Sequence, residues 1–237
     1  MSLETNSKTA AVIPAAGQGI RFGQKKQFSY ILDHPVIVWS IETLYKAGCI
    51  DGIVIAAPEN EIEVIKNDLL SFYPDSKNIT FVSGGETRQE SVFNGLRAVP
   101  EEIEIVAIHD AVRPAVSVEL VTKLITKAEK YGAALPSVNV TDSTFFERDN
   151  IIQEYVGRSN LRHAQTPQVF RKDDILAAHK RAAEDNYKAN DDGDLYNEYV
   201  GDVYIIEGEI DNIKITYQDD ILKAEKILKQ KGYKIER

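Results

Sequence analysis

Cysteine is almost missing from this chain. Its 237 residues hold one, Cys49, which rules out an intramolecular disulfide and any metal cluster built on cysteine. A reducing, cytoplasmic setting is the expected compartment. Positive charge is the scarcer sign, 28 Lys+Arg against 37 Asp+Glu, leaving a formal net charge of −9. A protein that coats a nucleic-acid backbone needs a broad basic face, so nucleic acid is not an expected partner. Phosphate binding, if present, must be concentrated in one cleft. No run approaches the roughly 18 to 20 apolar residues that span a bilayer, so no membrane partner is expected either. The first residues, Met1 to Lys8, are polar and lack the apolar centre of a signal peptide, and residues 1–8 read as a loose tail. Repeats, low-complexity tracts and an interdomain linker are lacking too. What is there, 43% hydrophobic and 27% charged residues, suits one cored domain over residues 9–237.

Short β-branched runs alternate with amphipathic segments. Strands are expected over Thr9–Pro14, Gly52–Ala57, Ile79–Val82 and Ile103–His109, with helices over Pro35–Ala47, Glu59–Leu70, Thr87–Ala98 and Val118–Lys130 between and after them. That alternation implies right-handed crossovers and a mostly parallel sheet covered by helices, an α/β Rossmann-like architecture. Ligands in such sheets sit beyond the carboxyl ends of the strands. From about Pro136 to Gln168 the pattern breaks. Ser137–Val140 and Ile151–Tyr155 read as a two-stranded excursion, a protruding β-arm with too little core of its own to stand alone. A helix over Asp173–Asp185, strands over Val203–Ile206 and Ile213–Thr216, and a helix over Asp219–Gln230 complete the expectation.

The first strand runs into Pro14-Ala15-Ala16-Gly17-Gln18-Gly19-Ile20-Arg21-Phe22-Gly23-Gln24-Lys25-Lys26-Gln27. Small residues let backbone approach a ligand, so successive N–H groups can face phosphate oxygens, and Arg21 and Lys26 add full charges. A dinucleotide fingerprint fits poorly because the third glycine comes one residue late and no acidic residue ends the second strand. A P-loop fits no better, since Gly-Lys-Ser/Thr does not occur. Two readings stay open: a loop wrapping a nucleoside triphosphate, and a Gly-rich turn with solvated bases.

This loop resembles the signature of the sugar-nucleotidyltransferases, and within them the 2-C-methyl-D-erythritol 4-phosphate cytidylyltransferases. Four further segments match in order: Gly84-Gly85-Glu86-Thr87-Arg88-Gln89-Glu90-Ser91-Val92, His109-Asp110-Ala111-Val112-Arg113-Pro114, Gln165-Thr166-Pro167-Gln168 and Asp211-Asn212-Ile213-Lys214-Ile215-Thr216. The resemblance implies an enzyme that joins CTP to a polyol phosphate with Mg²⁺, acting as a homodimer through the arm. It implies catalytic roles for Arg21, Lys26 and Lys214. It implies nucleotide binding by Ala15, Ala16, Gly17, Gly19, Gly84, Gly85, Ser91, Asp110 and Ala111, with Asp110 also at the metal. Arg113, Ser143, Arg158, Thr166 and Asp191 are implied at the polyol phosphate. Arg88 reads as structural on its helix.

The match has departures. Lys25 stands where the family has proline, Ser143 where it has threonine, and Asp191-Asp192 where it has Thr-Asp. The last change keeps ribitol 5-phosphate open as the alternative substrate. From another class, a nucleotide-binding module without catalysis is the competing reading, against which Lys26, Asp110 and Lys214 together argue.

Overall fold

The computed structural model describes residues 7–17, 22, 25–72 and 78–232. In chain order, β1 (Thr9–Pro14) leads to a single 3-10 turn (Lys26–Phe28), a tiny hairpin of β2 (Tyr30–Ile31) and β3 (His34–Pro35), and α1 (Val36–Lys46). Next come β4 (Gly52–Ala57), α2 (Ile62–Phe72), β5 (Ile79–Ser83), α3 (Arg88–Arg97), β6 (Ile105–Ile108) and α4 (Val118–Tyr131). The second half holds β7 (Ala133–Asn139), β8 (Thr144–Arg148), β9 (Ile151–Val156), β10 (Arg162–Ala164), β11 (Gln168–Arg171), α5 (Lys172–Glu184), α6 (Asp192–Tyr199), β12 (Tyr204–Glu207) and α7 (Asp219–Gln230).

The central sheet runs β10-β7-β11-β6-β1-β4-β5, with β12 added to β7. β6, β1, β4 and β5 are mutually parallel, β12 is parallel to β7, and β10 and β11 enter antiparallel. β1 shows why a central strand reads as a continuous apolar run: Ala11 and Ile13 bury against one helical layer, Ala10 and Val12 against the other. The first layer draws on α1, α2 and α4, the second on α3, α5 and α6. Gly95 of α3 lets that helix approach, since a Cβ there would lie 2.5 Å from Val12 Cγ1. α3 also opens on a capping box, in which Thr87 accepts from the Glu90 N–H and the Glu90 side chain accepts in return from the Thr87 N–H.

The expected parallel α/β core is present. Several local expectations are not. Ser137–Val140 was the expected first arm strand, but 137–139 end β7 inside the central sheet, whose neighbours β10 and β12 complete its hydrogen bonding. The protruding hairpin is instead β8 with β9, closed by Asp149 and Asn150 at φ 55° and 62°, the left-handed pair a two-residue hairpin turn requires. Ile213–Thr216 forms no strand. Ile215 N–H reaches Val112 O at 2.9 Å, but the N–H groups of Thr216 and Tyr217 turn to the Asp220 carboxylate at the start of α7. Of the expected tail, residues 1–6 lie outside the described residues. Lys8 belongs to the sheet margin, its carbonyl accepting from Glu104 and Ile105 N–H.

Candidate active site

Beyond the carboxyl ends of β1, β5 and β6 lies a cleft of about 380 Å³. Ala15, Ala16 and Gly17 form one wall, continuing β1 through an Ala15 N–H bond to Ala56 O of 2.8 Å. Gln27, itself at the edge of the cleft, braces that wall, donating through Nε2 to Ala15 O at 2.7 Å and Gly17 O at 3.0 Å. Lys26, its neighbour in the 3-10 turn, faces the cleft. Lys25 does not; it pairs with Glu61, so the residue standing in place of the family's proline makes an ion pair outside the cleft. The opposite wall is the Gly84–Ser91 corner. A Cβ on Gly84 would fall 2.3 Å from Ala16 Cβ, which only glycine avoids. The buried Ser91 hydroxyl fixes the corner, donating to Thr87 O at 2.9 Å and accepting from Gly85 N–H at 3.0 Å.

The floor is ionic. Asp110, 6% exposed, receives Arg88 Nε at 3.0 Å on Oδ1 and Lys214 Nζ at 2.8 Å on Oδ2, with Arg113 Nε 3.8 Å away. Burial alone would raise its pKa, but Arg88, Lys214 and Arg113 hold the carboxyl far below the usual carboxylate range. Arg88 also donates through Nη1 to buried Asp192 at 2.8 Å, so one guanidinium bridges two carboxylates. Against its desolvation, Asp192 and Asp110 push the Arg88 pKa upward. Three cations thus stand among two anions, an excess of one positive charge at the floor.

Beside this cluster runs a chain of neutral hydrogen bonds. The Thr166 hydroxyl accepts from the Asp110 N–H at 3.0 Å, so its own proton faces His109 Nδ1 at 3.1 Å. His109 Nε2–H then donates to Arg113 O at 3.2 Å. This order assigns the neutral tautomer protonated on Nε2. Burial, reinforced by Arg113, lowers the His109 pKa to about 4 in spite of neighbouring Asp110.

Of the residues singled out in sequence, Ala15, Ala16, Gly17, Lys26, Gly85, Ser91, Asp110, Ala111 and Lys214 all line the cleft, with Gly84 immediately behind. Gly19 and Arg21 lie outside the described residues. Five others are elsewhere. Arg113 is not on the cleft surface but buried behind Asp110, its Nη1 donating to Asn212 O at 2.6 Å. Thr166 is buried and spends its hydroxyl on the wall. Asp191 caps α6, accepting the Asp194 N–H and the Gln168 amide. Ser143 and Arg158 sit exposed at the base of the arm, where Arg158 Nη1 holds Thr141 O at 2.8 Å. Arg88, read as structural, is on the cleft and central to its charge, and its partner Asp192 had no assigned role. The proximity of Arg88 to Asp110, 22 residues away, and to Asp192, 104 away, exists only in the fold.

Among the described residues no helix is long and apolar enough to cross a membrane. The family model of the 2-C-methyl-D-erythritol 4-phosphate cytidylyltransferases (IspD) matches residues 9–230. The enzyme of that name from Alkaliphilus oremlandii is 35% identical over 230 residues, covering 96% of this chain and 98% of its own. That from Clostridium acetobutylicum is 38% identical over 223 residues, covering 93% and 97%. Among solved structures, the 4-diphosphocytidyl-2C-methyl-D-erythritol synthase of Anaerococcus prevotii superposes with a TM-score of 0.82 at 30% identity, covering 94% of this chain and 99% of its own. With four of its five motifs lining one cleft, the fifth packed behind Asp110 through Thr166, and relatives matched end to end, the chain belongs to the 2-C-methyl-D-erythritol 4-phosphate cytidylyltransferase family and is a nucleotidyltransferase.

Proposed function

We propose that the chain transfers CMP from CTP to 2-C-methyl-D-erythritol 4-phosphate, giving 4-diphosphocytidyl-2-C-methyl-D-erythritol and pyrophosphate. The observation that carries this reading is a cleft bordered by loop backbone, Lys26 and Lys214, over a floor with surplus positive charge. The attacking phosphate monoester has a second pKa of about 6 and is already anionic at neutral pH. It needs no side-chain base, and His109, neutral with both ring nitrogens engaged, offers none. The difficulty is bringing two anions together while charge builds on the α-phosphoryl oxygens. Positioned cations and backbone donors meet it. Lys26 and Arg21 serve the triphosphate, Lys214 the reacting phosphates, and the Gly84–Gly85 corner with Ser91 the cytosine edge.

Mg²⁺ fits the donor set as a nucleotide-borne ion. Asp110 stays ionised and lines the cleft, and each of its oxygens, although it receives Arg88 or Lys214, keeps a second lone pair for a metal, while the described residues contain no ready cage of three or more His, Cys, Asp or Glu. Mg²⁺ is usually held by one or two carboxylates together with substrate phosphates. When bound it would neutralise triphosphate charge, with Asp110 as its protein ligand.

We further propose a cytoplasmic homodimer in which the arm completes the partner's polyol-phosphate site. Phe146, Ile151 and Tyr155 on the arm are each more than 60% exposed, the kind of surface a second copy would cover. The Asp191-Asp192 pair gives ribitol 5-phosphate little support, because both carboxylates are committed within this chain. Pyrophosphate release should be measured with CTP, UTP and ATP against each polyol phosphate, with and without Mg²⁺. Turnover that is equal with all three nucleotides, or absent with methylerythritol phosphate, refutes the assignment. Turnover with ribitol phosphate alone would establish the alternative substrate, and binding without turnover the non-catalytic module.

A further inference from the structure

We infer that Gln27 is the positioning residue of the cleft loop: its side-chain amide sets the peptide planes of Ala15 to Gly17 and ties them to Lys26. The inference rests on the nucleotide-site reading and adds to it a residue at the cleft edge that acts through the loop backbone. Gln27 is 3% exposed and follows Lys26 within one 3-10 turn. Its Nε2 carries two hydrogens and meets two carbonyls, Ala15 O at 2.7 Å and Gly17 O at 3.0 Å. A trans peptide is planar, with the C=O opposed to the following N–H. Fixing the Ala15 carbonyl therefore fixes the direction of the Ala16 N–H. Ala16 is also backed by Gly84, with no room for a Cβ between them.

The loop cannot do this for itself. Ala15, Ala16 and Gly17 carry no side-chain hydrogen-bonding group, and Ala15 O is buried where it meets Gln27. Without the amide, a bound nucleotide would have to order the loop as it binds, and that ordering would be charged against affinity. The same change would loosen Lys26, whose turn Gln27 anchors, so the effect extends to the chemical step. Glutamate has the same length, but its carboxylate only accepts and would oppose two carbonyl oxygens.

The test compares wild type, Gln27→Met and Gln27→Glu for CTP Kd, kcat, KM of the polyol phosphate and thermal midpoint. For Q27M we expect CTP Kd to rise about tenfold and kcat to fall about tenfold, the scale of one lost buried hydrogen bond for each. The polyol-phosphate KM should stay within about twofold, while Q27E should lose more on both counts. A role confined to folding would lower the midpoint and scale kcat with the folded fraction, leaving Kd and KM of the folded protein unchanged. That result, or an unaltered Q27M, overturns the inference. Failure of wild type to bind CTP refutes the nucleotide site itself instead. A measurement on wild type covers the case in which neither variant folds. The Gln27 side-chain NH₂ should exchange with solvent more slowly than exposed glutamine amides and should shift with the Ala16 amide on CTP addition. A freely exchanging, unshifted pair overturns the proposal.

Discussion

Asp110 at the cleft floor is 6% exposed with cations on three sides, whereas Phe146 in the arm stands 62% exposed to solvent. The first arrangement is assembled from distant parts of one chain: Arg88 from α3, Lys214 from the segment before α7, and Asp192 from the start of α6. The second is a local hairpin whose two strands are joined by a two-residue turn, with Phe145 and Tyr155 meeting edge to face at 5.7 Å across it. Charge that is buried must be satisfied by the same chain at folding, because an uncompensated ion in the interior is too costly to leave waiting. Apolar surface can wait for a partner, because exposed aromatic groups cost little until something covers them. Among the described residues the ionic floor of the cleft is therefore satisfied within one chain, while the apolar face of the arm is left exposed.

The largest break in that comparison is expected from Lys26→Ala. Turnover should fall by about two orders of magnitude or more, since one transition-state charge contact is worth about 3 to 4 kcal/mol. CTP affinity should fall less, and near-normal kcat in steady-state assays would remove Lys26 from the cradle. Next comes Arg88→Met, which strips two buried carboxylates of their shared partner. The unfolding free energy in urea should drop by about 3 kcal/mol, the low end for a broken buried pair because the guanidinium is 31% exposed. Adding Asp192→Asn should restore part of that loss; a double variant no better than the single would show that Asp192 is not the stranded charge.

A smaller effect follows from His109. Its pKa in the folded protein is about 4 against 6.5 for the free side chain, so between those values the unfolded chain binds more protons. Stability is then fully present above about pH 6.5 and is lost as pH falls toward 4. Urea unfolding at pH 7.5 and pH 5 should differ by about 2 kcal/mol, and His109→Gln should flatten that slope. The low pKa of Asp110 and Asp192 adds stability that is present above about pH 4 and lost only below it, outside this window. An equal slope in the variant would shift the pH dependence to other groups.

The last test sharpens the other side. Mixing Arg158→Ala with Lys26→Ala after subunit exchange should restore about a quarter of the sites if Arg158 acts across a two-fold axis. Half the dimers are mixed, and each mixed dimer has one intact site. No recovery despite verified exchange would confine Arg158 to its own chain.

How much of this could be read from the residues alone divides along the same line. β1, β4 and α7 fall on the expected residues because each carries its own periodicity and stops at its own punctuation. The loop and Asp110 stood out because glycine after a strand, and an acid at a strand's end, are local signals. Arg88 reads as structural on its helix, and the two carboxylates it bridges could not be named because they lie far along the chain. Arg113, implied at the polyol phosphate by resemblance, follows Asp110 closely in sequence, but only the fold shows that the turn after β6 directs it inward. α6 went unseen because Asp191-Asp192-Gly193-Asp194 looks like a turn, and only the Asp191 cap and the Arg88 contact make it a helix start.

The position of β11 carries a consequence for how the chain is made. It lies between β6 and β7 in the sheet, although both precede it in sequence. When β6 leaves the ribosome at Ile108, its outer edge has no strand to bind until Arg171 follows, roughly sixty residues later. At bacterial to eukaryotic synthesis speeds of about 5 to 20 residues per second, that edge stays open for about 3 to 12 s. An open strand edge invites pairing with a neighbouring nascent chain. Slow translation of the stretch between α4 and β11 should therefore lower the yield of native protein even where no residue of the finished enzyme has changed.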